Sequence, residues 1–185
     1  PEVFIPIAEE HNLIVPLTRH VIAETIQQRH VFPMSSQFHI GINVAASHFR
    51  DGMLLKDLNQ YWFSQHPIQQ LVIELTERDA LLDVDYRLVH ELHRLGVKLA
   101  IDDFGTGNSS LSWLEKLRPD VLKIDKSFTS AIGTDAVNST VTDIIIALGK
   151  KLNIELVAEG VETLAHAQHL RRHGVNVLQG FLYAK

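Results

Sequence analysis

Apolar residues along this chain recur in two rhythms that take turns. Phe4-Ile5-Pro6 leads into a first helical segment carrying Ile7, Ala8 and Ile14, and proline at position 6 suits a first helical turn. Leu17, Val21, Ile22 and Ile26 then repeat at helical spacing as far as Gln28. His39 to Val44 alternates and stops at Asn43, which predicts a strand with a polar end. Leu54, Leu55, Leu58 and Trp62 predict a helix, and Leu71 to Leu75 a strand running into Glu74-Leu75-Thr76-Glu77. Leu81, Leu82, Leu88, Val89, Leu92 and Leu95 predict one amphipathic helix, closed by Gly96 at its C′ position. Val97 to Ile101 is the next strand, ending in Asp102-Asp103-Phe104-Gly105-Thr106-Gly107. Asn108-Ser109-Ser110 is a candidate start for a short helix through Leu111, Trp113, Leu114 and Leu117, stopped by Pro119. Val121 to Asp125 reads as a strand, and Val141, Ile144, Ile145, Leu148 and Leu152 as a helix. Leu156-Val157-Ala158 is a strand ending at Glu159; Leu164, Ala167 and Leu170 give a helix ended by Gly174; Val175 to Leu178 is a last strand before Gln179-Gly180.

Six short apolar strands alternating with helices indicate an α/β fold, with a parallel sheet and right-handed crossovers. A TIM-like (β/α)8 barrel and an open doubly wound sheet both fit this alternation. Such a barrel takes about 250 residues and eight strands. Six units in 185 residues, with no linker or low-complexity break, predict a barrel lacking about two N-terminal strands. The complete open sheet is the second reading.

Composition narrows the chemistry. Apolar residues make up 45% of the chain and charged residues 21%, ordinary values for a globular protein. A formal charge of -5 without a basic run argues against a nucleic-acid duplex as partner. No apolar stretch approaches the roughly 20 residues of a membrane span. Zero cysteines excludes thiolate metal sites, so a metal here is held by oxygen or imidazole, and fits a cytoplasmic location. A full-length protein anchored in a membrane through other regions is compatible with this.

The polar residues at the strand ends carry the chemistry. They are Asn43; Glu74 with Glu77; Asp102 with Asp103; Lys123 with Asp125; Glu159 with Glu162; and Gln179. In α/β barrels and open α/β sheets the carboxyl ends of the strands share one face, and that face carries the site. Four or five carboxylates, an amide and a lysine suit Mg2+ or Mn2+, and a carboxylate shared between two ions suits phosphoryl hydrolysis. Side chains of adjacent residues on an extended strand point to opposite faces, so Asp102 and Asp103 reach one centre only where the backbone turns. The other reading of the pair is an exposed turn with solvated carboxylates.

Asp102-Asp103-Phe104-Gly105-Thr106-Gly107, Glu74-Leu75-Thr76-Glu77, Leu122-Lys123-Ile124-Asp125, Ala158-Glu159-Gly160-Val161-Glu162-Thr163 and Gln179-Gly180-Phe181 together resemble the EAL-domain family of cyclic di-GMP phosphodiesterases. Phe4-Ile5-Pro6-Ile7-Ala8-Glu9 resembles that family's first helix. The resemblance implies opening of cyclic di-GMP to linear pGpG with two Mg2+ or Mn2+ ions. It implies that Asn43, Glu74 and Asp102 bind the first metal, and that Asp102 bridges to a second held also by Asp103. Lys123 then holds or activates the attacking water, Glu159 acts on the second metal's water or as general base, and Gln179 contacts the site. Glu77 and Glu162 tie down the loop that starts at Asp103.

The Glu-Ala-Leu motif that names the family is absent from residues 1–185, and the resemblance implies that its glutamate belongs to a strand upstream of Pro1. Residues 1–185 are therefore expected to be a single EAL-type domain truncated at both ends, with upstream sensory or diguanylate cyclase domains as candidate neighbours. A homodimer is a further expectation, with the helix following Asp102 as the candidate contact. The alternative from another class is a degenerate or truncated domain that binds cyclic di-GMP or a protein without hydrolysis. A Schiff-base aldolase using Lys123 is a third reading, opposed by the acid cluster. His166, His169 and His173 fall on one helix face and read as a solvated face, with an opportunistic transition-metal site as the sharper alternative. Trp62 and Trp113 read as packing residues rather than guanine-stacking platforms.

Overall fold

The computed structural model describes residues 1, 3–82, 84–107, 112–175 and 177–184. Along the chain it contains helices α1 (Phe4–Glu10) and α2 (Ile14–Gln27), strand β1 (His39–Asn43), helix α3 (Met53–Asp57), strand β2 (Gln70–Thr76) and helices α4 (Glu77–Leu82) and α5 (Tyr86–Arg94). Strand β3 (Lys98–Phe104), helix α6 (Ser112–Leu117), strand β4 (Val121–Ile124) and helices α7 (Lys126–Thr129) and α8 (Val137–Leu152) follow. Strand β5 (Glu155–Ala158), helix α9 (Leu164–Arg172) and strand β6 (Val177–Leu178) complete the order. The chain divides into two units: residues 1–75 with 79–99, and residues 76–78 with 100–185.

In the first unit β1 pairs with β2 in parallel, from His39 opposite Gln70 to Asn43 opposite Glu74. Helix α2 starts three residues earlier than its apolar spacing suggests and takes Pro16 into its first turn, where no intrahelical N–H is required. Its buried stripe is Ile14, Thr18, Ile22 and Ile26, one residue per turn, while Val21 is exposed. Helix α3 runs straight into a π-helical turn, Leu58–Trp62, whose Leu58 and Trp62 are both buried. The single helix expected between Leu81 and Leu95 is two. Asp85 caps α5 by accepting a 2.9 Å hydrogen bond from the Arg87 N–H, which starts a new helix instead of continuing the old one.

A buried polar network also lies in this unit. His48 is fully buried, and its Nε2 lies 2.9 Å from Asp57 Oδ2, while Arg19 Nε donates to Asp57 Oδ1 at 3.0 Å. Burial pushes the His48 imidazole below its ordinary range, against the pull of the Asp57 hydrogen bond. Burial pushes the Asp57 carboxyl up, but hydrogen bonds from Arg19 and His48 outweigh it and hold it low.

In the second unit β3, β4, β5 and β6 pair in sequence order, every pair parallel. β4 is buried along its whole length, and Leu122, Ile124, Ala158 and Leu170 are completely so. Strand β3 does not stop at Ile101 but carries both aspartates through to Phe104. Helix α7 has no apolar repeat to announce it; Asp125 caps it by accepting from the Ser127 N–H at 2.9 Å. Helix α8 buries Thr142, Ile145, Ile146 and Gly149 and leaves Ile144 exposed. Trp113 packs against Phe104 with ring centroids 6.4 Å apart, and both Trp62 and Trp113 are buried packing residues. The Asn108-Ser109-Ser110 helix start and Leu111 lie outside the described residues. No helix among the described residues is long and apolar enough to cross a membrane.

Removing Asp57 leaves a buried imidazole and a guanidinium without their shared partner, so Asp57→Ala is expected to cost about 2–3 kcal/mol in urea unfolding. Both depressed groups bind fewer protons in the folded state than in the unfolded one. Stability therefore falls as the pH drops below the ordinary imidazole value of 6.5, and Asp57→Ala steepens that imidazole slope, because Asp57 is what opposes the effect of burial on His48. An unchanged midpoint and an unchanged slope would show the network to be energetically idle.

Candidate metal and phosphodiester site

The parallel register between β3 and β4 sets Ala100 opposite Val121 and Ile101 opposite Leu122, then jumps to Phe104 opposite Ile124. Two residues, Asp102 and Asp103, therefore occupy a stretch where β4 has only Lys123. This is a bulge, and it is taken up by a left-handed backbone at Asp103, with φ of 53°. In a flat strand the two carboxylates would point to opposite faces; the bulge turns Asp103 so that both meet. Aspartate is among the few residues besides glycine that tolerate this conformation.

Lys123 stands in the middle of buried β4, with 9% of its side chain exposed. Its Nζ donates to Asp102 Oδ2 at 2.9 Å and lies 2.8 Å from Glu159 Oε1. Glu159 follows β5 and is fixed by its own N–H, which donates to the Ile124 carbonyl at 3.0 Å. Carboxylate oxygens of Asp102, Asp103 and Glu159 all lie within 4.8 Å of one another. With three carboxylates about one ammonium, two negative charges stand uncompensated. Burial pushes the Asp103 carboxyl up, and the charges of Asp102 and Asp125 add to the rise against Lys123 and Lys126. Burial likewise raises Glu159; Lys123 opposes that rise, while Asp102 and Asp103 support it. Groups held against their charged state in this way favour a cation. The donors are all oxygen, which suits a hard divalent ion such as Mg2+ or Mn2+.

The segment after Asp103 is a tight turn held by a buried acid. Glu77 is 2% exposed, and its Oε2 accepts from the Gly105 N–H at 2.8 Å and the Gly107 N–H at 3.2 Å. Thr106 closes the turn by donating from Oγ1 to the Asp103 carbonyl at 2.8 Å. Gly105 has φ of 98°, and a Cβ there would stand 2.8 Å from Ile145 and 2.9 Å from Phe128. Glycine at 105 is thus demanded by both backbone and neighbours.

In the first unit Asn43 and Glu74 end their strands side by side, Asn43 exposed and Glu74 half-buried. A Cβ on Gly41 would collide with the Glu74 carboxylate, so the glycine makes room for that side chain. Gln179 is exposed at the end of β6, where its N–H donates to Ala158 O at 2.8 Å and its carbonyl accepts from the Val161 N–H at 3.0 Å. Glu162 is exposed just before Thr163, the cap of α9, and is not among the converging carboxylates. Asp125, read in the sequence only as a strand-end acid, is a helix cap whose charge reaches Asp103. Gly41 carried no signal of its own and is an unremarkable strand glycine until Glu74 is seen over it.

A family model for the EAL domain matches residues 1–185. The chain is 82% identical over 185 residues to a protein of Escherichia coli K12 named probable cyclic di-GMP phosphodiesterase PdeD, covering 100% of this chain and 35% of that protein. It is similar to the solved structure of the MucR phosphodiesterase in complex with c-di-GMP, with a TM-score of 0.90 and 35% identity over 100% of this chain and 77% of that one. MucR of Pseudomonas aeruginosa is named a bifunctional diguanylate cyclase/cyclic di-GMP phosphodiesterase. The manganese and cyclic di-GMP complex of BlrP1 from Klebsiella pneumoniae matches with a TM-score of 0.75 and 28% identity, over 92% of this chain and 43% of that one. The chain spans only part of the length of the curated relatives it matches, 35% for PdeD, 24% for YkoW of Bacillus subtilis and 52% for PdeL of Escherichia coli. The bulged Asp102-Asp103 strand, the carboxylates around Lys123 and the match along the whole sequence agree: this chain belongs to the EAL domain family.

Proposed function

We propose that this chain forms part of a metal-dependent phosphodiesterase that hydrolyses cyclic di-GMP to linear pGpG. The observation that carries the reading is the convergence of Asp102, Asp103 and Glu159 about Lys123, an all-oxygen donor set with excess negative charge. The relatives' names supply the substrate class, and the manganese in the BlrP1 complex supports a divalent ion.

Asp102 and Asp103, with the Asn43 amide and the Glu74 carboxylate, would hold two Mg2+ or Mn2+ ions, which would supply positive charge to the phosphodiester oxygens and make water a better nucleophile. Hydrolysis adds a water oxygen to phosphorus, breaks one ester P–O bond and delivers a proton to the leaving ribose oxygen. Lys123, already fixed by two carboxylates, orients the water through Nζ. Glu159, whose carboxyl is held above its ordinary range, accepts the water's proton. Gln179 contacts substrate from the end of β6. Glu77 holds the turn at 105–107, and Glu77 and Glu162 would together tie down the loop that starts at Asp103, linking metal occupancy to its shape. The same reading includes a sensory or diguanylate cyclase neighbour, the latter an activity that MucR's name also carries, and a homodimer.

Asp103→Asn keeps the left-handed backbone and removes a ligand. Turnover of cyclic di-GMP in Mg2+ or Mn2+ by the full-length protein should fall on the order of a hundredfold or more. The same variant should raise the melting temperature in EDTA, because the raised carboxyl pKa marks a charge the fold resists. Retained turnover would sink the two-metal assignment. Lys123→Ala should lower kcat by about a hundredfold while KM moves by less than about threefold, since Nζ acts on water and not on guanine. A loss confined to KM would contradict that role.

A further inference from the structure

A second group of metal donors stands on α8 and α9, and none of its residues belongs to the first. Asp143 of α8, His169 of α9 and His173 just past the end of α9 each offer one ligand atom within 4.8 Å of the other two. His169 and His173 are one helical turn apart, with ring centroids 4.2 Å from each other. His169 Nε2 lies 3.1 Å from Asp143 Oδ1, a contact that joins two helices across 26 residues of sequence.

The bond that orients His173 decides what that ring can do. Its Nδ1 is 2.9 Å from the His169 carbonyl oxygen, which can only accept. Nδ1 therefore carries the hydrogen, and in the neutral ring the lone pair is on Nε2. A ring N–H given to a backbone carbonyl is how metal-ligating histidines are held and oriented. His173 and Asp143 are exposed and His169 half-buried, so an ion has open access. The histidine face expected from spacing alone thus divides: His166 stands outside the cluster, and an aspartate from another helix takes its place.

We propose that Asp143, His169 and His173 form a binding site for a divalent transition-metal ion of the zinc class, with a fourth position left to water. Two imidazole nitrogens and one carboxylate oxygen suit Zn2+ and its borderline neighbours, in contrast to the all-oxygen cluster at Asp102. Tetrahedral Zn2+ with bonds of about 2.0–2.1 Å needs donors roughly 3.3 Å apart. Exposed side chains reach that spacing by small rotations. The ion would clamp the end of α9 to α8 and stabilise the second unit by mass action.

The test is calorimetric titration of the protein with ZnCl2 in saturating Mg2+, comparing wild type with His173→Ala, His169→Ala and Asp143→Asn. One zinc equivalent is expected, weakened by about tenfold or more in each histidine variant. Zinc should also raise the melting temperature of wild type by several degrees and leave His173→Ala unmoved. His173 is exposed, so its replacement leaves the fold intact, as an unchanged circular-dichroism spectrum and an unchanged melting temperature without zinc check. Wild type that binds no zinc, binding unchanged in His173→Ala, or a zinc equivalent abolished instead by Asp103→Asn would each overturn the proposal. Because the readout is zinc binding, its failure leaves the phosphodiesterase reading untouched, and loss of that reading leaves this one standing.

Discussion

The ammonium of Lys123 is the interaction on which the second unit's chemistry depends. It reaches from the central buried strand to Asp102 on one neighbour and Glu159 on the other, at 2.9 and 2.8 Å. Breaking a buried pair by removing one partner costs far more than the pair contributes net, because the remaining charge is left in low dielectric. Here two partners would be stranded at once. Yet one cation does not balance three acids, and the raised Asp103 and Glu159 carboxyls register the imbalance. The fold supplies enough positive charge to stand and leaves enough negative charge to attract an ion.

The turn after Asp103 is constrained from both sides. From below, the buried Glu77 carboxylate takes two backbone N–H groups, which are the strong, charge-assisted kind of hydrogen bond. From the side, Ile145 and Phe128 come so close to Gly105 that no side chain fits. One buried acid thus fixes the position of a loop that follows two other acids.

Much of this was legible in the sequence, because strands in parallel sheets are short apolar runs and their ends are marked by charge. The six strands, Gly96 at the close of α5 and the grouping of Asp102, Asp103, Lys123 and Glu159 all follow from that. Other features were hidden for identifiable reasons. Asp83 to Asp85 interrupts an apolar repeat that runs on in phase, so one helix was expected where Asp85 caps a second. Helix α7 is four residues long, too short to show a period, and the two-residue strand β6 is similarly marginal. The face that α8 buries includes Thr142 and Gly149 beside the expected Ile145, whereas apolar Ile144 faces out, so hydrophobicity alone set that face off centre. The bulge at Asp103 carries no compositional mark beyond the paired acids themselves.

The left-handed backbone at Asp103 also governs how this position can drift. Asparagine and glycine enter that conformation with little strain, whereas β-branched residues meet a steric penalty. The residues the backbone accepts most readily are therefore those that remove the charge and keep the fold. The neighbouring acid, Asp102, has no such latitude, being tied to both Lys123 and the Asp103 N–H. At residue 103 one negative charge of the cluster can thus be removed by changing the identity of a single heavy atom, Asp to Asn, in a side chain the backbone already tolerates.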